Sequence, residues 1–173
     1  VPVLASATVT VVNKFSPEVI YVGDTSTYTL TVKNSSNAPL TSVNLTSLLG
    51  SNVQVESILS DTCNFATKTV ASAAPYGVVL AGGATPAQSG SIPGECVVTI
   101  KVKSTVSGNH PAEIPADTSP SATQSGFSAL ENGALVQNST LTNVTLGVNN
   151  LPAPTGRKEF PSTAYEGAPF PLK

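Results

Sequence analysis

Residues 26–33 read STYTLTVK and residues 96–103 read CVVTIKVK. In the first, Tyr28, Leu30 and Val32 fall on one side, and Thr27, Thr29, Thr31 and Lys33 on the other. A strict period of two sends alternate side chains to opposite faces, so the segment is a strand with one face toward a core and one toward water. In the second, Cys96, Val98, Ile100 and Val102 form the inward set, and Thr99, Lys101 and Lys103 belong to the outward one. NVTLGV at 143–148 repeats the pattern, with Val144, Leu146 and Val148 alternating against Asn143 and Thr145. SVNLTSLL at 42–49 and NVQVESIL at 52–59 add two more strands.

Between these runs lie clusters that favour turns: Gly23-Asp24, NSSNAP, Gly50-Ser51-Asn52, APYG, AGGATP, IPGE and SGNHP. The best helical candidate, SGFSALENGALVQ at 125–137, is cut by Gly126 and Gly133 and reads as one turn or a loop. Short strands at regular spacing with Gly and Pro between them predict an all-β sandwich.

Composition agrees with that class. The 173 residues suffice for one well-buried domain with extensions. Only 10 % are charged, and Ser, Thr and Asn supply the polar surface instead. The net charge is −2, the lysines are scattered and the only arginine is Arg157, which excludes the clustered cations of a nucleic-acid groove. No apolar run approaches the ~20 residues of a membrane span. The chain contains no Met, so Val1 is not a translation start, and secretion with removal of a signal peptide is the simple expectation. VLASAT at 3–8 itself has the small residues of a cleavage site, which would place a mature start at Thr8. Two cysteines, Cys63 and Cys96, are either a disulfide closing a loop of about 34 residues or two buried thiols.

Chemistry has little to work with, and the sequence reads as that of a non-enzyme with no cofactor. The single histidine, His110, lies in SGNHPAE and reads as an exposed loop residue. No nucleophile-elbow Gly-x-Ser-x-Gly accompanies it. The acids are dispersed, without calcium-loop spacing, so no metal site is expected. AGGATPAQSGSIPG lacks the Gly-Lys-Ser/Thr of a phosphate cradle and reads as a turn. An internal Lys–Asn or Lys–Asp isopeptide needs a buried lysine, whereas Lys33, Lys101 and Lys103 read as outward. Aromatics are 5 % and Trp is absent, leaving few platforms for stacking a sugar. Four Asn-x-Ser/Thr sequons stand at Asn34, Asn44, Asn138 and Asn143. Alternation puts Asn44 with Thr46, and Asn143 with Thr145, on outward faces, where glycosylation is sterically open.

KFSPEVIYVGDTSTYTLTVKNSSNAPLTSVNLT at 14–46 resembles the opening of immunoglobulin-like conserved-repeat modules, which occur in tandem in large secreted surface proteins of bacteria and some archaea. The resemblance extends through SDTCNF, VVLAGGATPAQSGSIPGECVVTIKVKSTVSGNHPAEIPA and TQSGFSALENGALVQNSTLTNVTLGV, covering about residues 11–148. The order carries it: first Cys, Gly-Gly-x-x-Pro turn, second Cys with its Val-Thr strand, Ile-Pro segment, final strand. His110-Pro111 stands where the family has a Tyr-Asn-like pair, and the stretch between Ile114 and Leu141 is longer. The resemblance implies an immunoglobulin-like antiparallel sandwich, a Cys63–Cys96 disulfide, a structural or adhesive role and no catalytic residues.

The ends complete the expected organisation: an N-terminal arm or donor strand (1–12), the sandwich (13–148) and a Pro-rich C-terminal arm (149–173). Val1, Val3, Ala5, Ala7, Val9 and Val11 alternate without a break, over some 11 residues that span about 36 Å when extended. Such a strand either opens its own sandwich or is donated to the sheet edge of another copy, and head-to-tail donation does not close, so it yields a filament. Lys14, Phe15, Pro17, Tyr21 and Gly23 recur near the other end as Lys158, Phe160, Pro161, Tyr165 and Gly167. The tail also holds Pro152, Pro154, Pro161, Pro169 and Pro171, which suit an extended surface arm. The expected function is a secreted, extracellular structural subunit polymerising with copies of itself. The alternative is a spacer or adhesive module of a larger surface protein, meeting cell-surface or matrix components.

Overall fold

A computed structural model describes residues 9–71, 76–117 and 126–152, and Val9, the first of them, is already paired in a strand. Twelve strands lie among the described residues: β1 (Val9–Ser16), β2 (Val19–Tyr21), β3 (Thr25–Asn34), β4 (Leu40–Leu49), β5 (Val53–Asp61), β6 (Thr67–Val70), β7 (Gly77–Thr85), β8 (Gly94–Ser104), β9 (Gly108–Ile114), β10 (Phe127–Glu131), β11 (Ala134–Gln137) and β12 (Thr142–Asn149). One sheet runs β1-β3-β8-β5, antiparallel throughout. The second is built around β4. Along one edge of β4 lie β7 and then β6; the other edge is shared by the β10–β11 hairpin and by β9, which leads on to β12 and β2. Only the β12–β2 pair is parallel among the described strands.

The core forms where alternation predicts it. Tyr28, Leu30 and Val32 of β3, Cys96, Val98, Ile100 and Val102 of β8, and Leu146 and Val148 of β12 are all buried. The rings of Phe15 and Tyr28 lie 4.7 Å apart between centroids. A polar link crosses this apolar layer. Asn13 Nδ2 donates to the Tyr28 hydroxyl and to the Ala112 carbonyl, both at 3.0 Å. Ser47 Oγ donates to the Glu113 carbonyl at 3.3 Å, which leaves the Tyr28 hydroxyl to donate to Ser47 at 2.7 Å. The two sheets are thus joined through β1 and β3 on one side and β4 and β9 on the other. Burial pushes the Tyr28 phenol up to about 12, against the opposing pull of its hydrogen bonds to Ser47 and Asn13.

Three segments differ from the sequence reading. Val9 and Val11 belong to β1, whose eight residues pair with β3 in unbroken register from Val9↔Asn34 to Ser16↔Thr27. Pairing there satisfies the backbone and buries Val11 and Phe15, so residues 9–12, read from the sequence as part of the arm, belong to the sandwich. Val1, Val3, Ala5 and Ala7 lie outside the described residues, as does the tail beyond Pro152; at that end β12 runs through Asn149. The stretch read as one turn or a loop is a hairpin, β10–β11. Asn132 (φ 49°) and Gly133 (φ 81°) form its two-residue turn, the positive pair that matches the twist of the flanking strands. The glycine run read as a turn lies within β7. There Gly82 has φ 74°, and a Cβ on Gly83 would stand 2.8 Å from the ring of Phe65. Glycine is required at these positions by a local distortion and by a close approach, not by a chain reversal.

Candidate functional site

The two flanks of the sandwich are built differently. On the first, the chain leaves β5, crosses between the sheets at Thr62–Ala66 and enters β6. Cys63 is bonded to Cys96 of β8, with Cα atoms 4.9 Å apart. The Cys63 carbonyl accepts from Ala84 N of β7 at 2.9 Å. Phe65, buried, covers Gly83. Asp61, almost wholly buried, accepts from Phe65 N at 2.9 Å and pairs with Lys68 Nζ at 2.9 Å. The β5 edge carries two register shifts, at Val55/Ser57 and Ile58/Ser60. Next to it Glu56 takes ion pairs from Lys101 and Lys103, both at 3.0 Å. Hydrogen bonds from Lys103 and Lys101 hold the Glu56 carboxyl below its usual range. Bulges and charge of this kind blunt an edge against further pairing.

On the second flank the crossing is shorter. After β1, the chain turns at Ser16–Glu18 and pairs with β12 only from Gly147 to Asn149. Gly147 N donates to the Glu18 carbonyl at 2.9 Å, which shows that Gly147 directs its backbone toward that edge. Backbone groups of alternate residues in a strand point the same way. Thr145 and Asn143 therefore present N–H and C=O on the same edge, where no described strand pairs with them. A cleft of about 160 Å³ lies there, lined by Lys14, Phe15, Glu18, Val144 and Thr145. Val144 points inward but is only half-buried. Nothing in the local sequence signals this half-covered edge, because edge status depends on where β2 stops.

The remaining sequence-predicted sites fall as follows. His110 is buried in β9 and not exposed in a loop. Its Nε2 lies 2.8 Å from the Val106 carbonyl; a carbonyl only accepts, so Nε2 carries the proton and holds the β8–β9 turn. Pro111 made the segment look like a turn, yet it faces Thr145, whose backbone points to the opposite edge, so β9 loses no ladder bond there. Among the sequons, Asn34 is fully buried, with Nδ2 donating to the carbonyls of Ala38 at 2.8 Å and Pro86 at 3.0 Å. Asn138 Nδ2 donates to Pro115 at 2.8 Å and Thr140 at 3.1 Å, and its Oδ1 accepts from Phe127 N. Asn44 is half-buried and donates to Ser42 at 3.0 Å. Thr46 does not share an outward face with it but is buried, because the register shifts in β4 break the alternation. Asn143 is exposed, with exposed Thr145 beside it. Lys33 pairs with Glu95 at 3.5 Å on the outer face that also carries Lys101 and Lys103. Among the described residues, no three His, Cys, Asp or Glu side chains stand together as a metal site would require, and no helix is long and apolar enough to cross a membrane.

Solved structures share the architecture. A non-cellulosomal cohesin from the archaeon Archaeoglobus fulgidus matches with a TM-score of 0.55 at 17 % identity, over 83 % of this chain and 92 % of its own. A cohesin module from a family 33 glycoside hydrolase of Clostridium perfringens matches with a TM-score of 0.54 at 9 % identity, over 84 % of this chain and 100 % of its own. A type I cohesin from Pseudobacteroides cellulosolvens matches with a TM-score of 0.50 at 14 % identity, over 88 % and 98 %. At such identities the likeness establishes the fold, an all-β sandwich of antiparallel sheets, and nothing finer. No curated protein sequence matches the chain. The sequence profile of DUF7933, described as a domain of unknown function, matches residues 10–130, and the chain belongs to that family.

Proposed function

We propose that this protein is a secreted, non-catalytic structural subunit that polymerises outside the cell by donating its N-terminal segment to the next copy. The observation that carries the reading is the unbroken register of β1: its alternation runs from Val9 and Val11 back through Ala7, Ala5, Val3 and Val1 in the same phase. A strand already formed at Val9 makes its own continuation cheap to extend, and an apolar strand in water must find an edge. The disulfide supports an oxidising, extracellular location. The buried and internally bonded His110 supports a role without acid–base chemistry.

Deleting Val1–Ala7 tests it. The truncated chain is expected to keep its melting temperature, since none of these residues belongs to the described core, and to lose filaments in electron micrographs and the large species in size exclusion. A full-length protein that stays monomeric in both measurements at high concentration overturns the reading. A second reading, a spacer or adhesive module of a larger surface protein, draws on the recurrence of the Lys14–Gly23 pattern at Lys158–Gly167, as in tandem modules. For such a module the same deletion leaves behaviour unchanged.

A further inference from the structure

Among the open edges of the described strands, the N-terminal half of β12 adjoins a cleft, lined by Lys14, Phe15, Glu18, Val144 and Thr145, and is backed by the half-buried Val144. We infer that the stretch Asn143–Thr145, with the cleft between β12 and the β1–β2 crossing, is the acceptor for residues Val1–Thr8 of a second copy. This rests on the donation proposed above and adds where the donated strand binds.

Three observations select this edge over the others. Thr145 and Asn143 direct their backbone donors and acceptors outward from it, as the Gly147–Glu18 bond fixes, and β2 occupies only the last three residues of the strand. An added strand therefore continues the row that β2 begins. Val144 packs against the core yet is only half-buried, so apolar side chains arriving above it remove surface from water. On the outer edge of β1, by contrast, three of the four inward residues, Val11, Asn13 and Phe15, are already buried and only Val9 is half-buried, so a further strand gains little from covering them. The β5 edge is shifted twice and flanked by the charges of Glu56, Lys101 and Lys103. The cleft of about 160 Å³, lined by Phe15 and Val144 together with Lys14, Glu18 and Thr145, has room for apolar side chains such as Val and Ala. Val1–Thr8 supplies Val1, Val3, Ala5 and Ala7 on one side, has no charged residue, and leads directly into a strand of its own subunit.

The test places a photoreactive benzoylphenylalanine at Thr145 of the full-length chain, which is exposed, and mixes isotope-labelled with unlabelled copies before irradiation. The expected product joins position 145 of one copy to a peptide from residues 1–8 of another. A link from position 145 to residues 153–173 of the same chain overturns the inference by naming a different occupant. Filaments that require Val1–Ala7 but give no link at position 145, or a link to another segment, overturn this acceptor and leave donation standing. Absence of filaments from the unmodified chain removes both. As a second measurement, Thr145→Pro deletes one donor on the open edge and none on the ladder to β9. It is expected to leave the melting temperature near that of the parent and to weaken assembly by about tenfold, the effect of one lost hydrogen bond. Unchanged assembly in that variant counts against the acceptor.

Discussion

The flank at β5–β6 and the flank at β1–β2 solve the same problem, carrying the chain from one sheet to the other, in opposite ways. At β5–β6 the crossing is fastened at several points: a disulfide to β8, a carbonyl bonded to β7, a phenyl ring seated over Gly83, and a buried Asp61 holding both the crossing backbone and Lys68. At β1–β2 the crossing is a tight corner that reaches three residues of β12 and stops. The first flank can be altered only at a cost in stability. The second leaves Asn143–Thr145 of β12 without a strand partner among the described residues on that edge.

Replacing both Cys63 and Cys96 with Ser removes the cross-link over a sequence separation of 33 residues and is expected to lower stability by about 3–4 kcal/mol in denaturant titration. A loss much below 1 kcal/mol would mean that the flank is held by packing alone. Gly83→Ala sets a Cβ against the buried Phe65 ring and is expected to cost about 1–3 kcal/mol in the same assay.

Tyr28→Phe removes the hydroxyl between Asn13 and Ser47 while leaving the Asn13–Ala112 bond between the sheets, and is expected to cost about 1–2 kcal/mol at neutral pH. It carries a pH signature as well. The folded phenol sits near 12 while an unfolded one ionises near 10. The parent protein's stability from this group is therefore complete below the unfolded value and is lost as pH rises toward the folded one. The phenylalanine variant should lack that alkaline decline, so the gap between the two chains narrows from pH 10 upward in thermal melts. Glu56→Gln gives the smallest change. The folded carboxyl titrates below its usual range, so its contribution is present above the unfolded glutamate value and disappears as pH falls through the folded one. The variant should differ slightly at neutral pH and converge with the parent in acid; because the group is exposed, salt should shrink the difference further.

Much of the sandwich was legible because β3, β8 and β12 keep a strict period of two, each with one face in a continuous apolar layer. Alternation fails where a strand does two jobs. In β4, Leu45, Thr46 and Ser47 are buried in succession, because the register shifts on either side of Val43 and Ser47 is claimed by Tyr28 from the opposite sheet. The Asn132-Gly133 hairpin is written in the sequence as the residue pair that tolerates two positive φ angles, a signal that helical spacing does not carry. His110 was misplaced because Gly108 and Pro111 resemble turn residues, whereas in β9 the proline simply faces a position that requests no hydrogen bond. The candidate site was the least legible part. Whether Thr145 has a neighbour depends on where β2 ends, and that is decided by a corner more than a hundred residues away in the chain.

The parallel pairing of β2 with β12 has a mechanical consequence. Traction applied ahead of β1 and beyond β12 drags these two strands past each other along their length, so the bonds between Val19–Tyr21 and Gly147–Asn149 share the load together instead of opening one by one. The β1–β3 ladder, entered at Val9, is strained in the same sense. Rupture then requires a concerted step, and its rate, not the equilibrium stability, sets how long a pulled module endures.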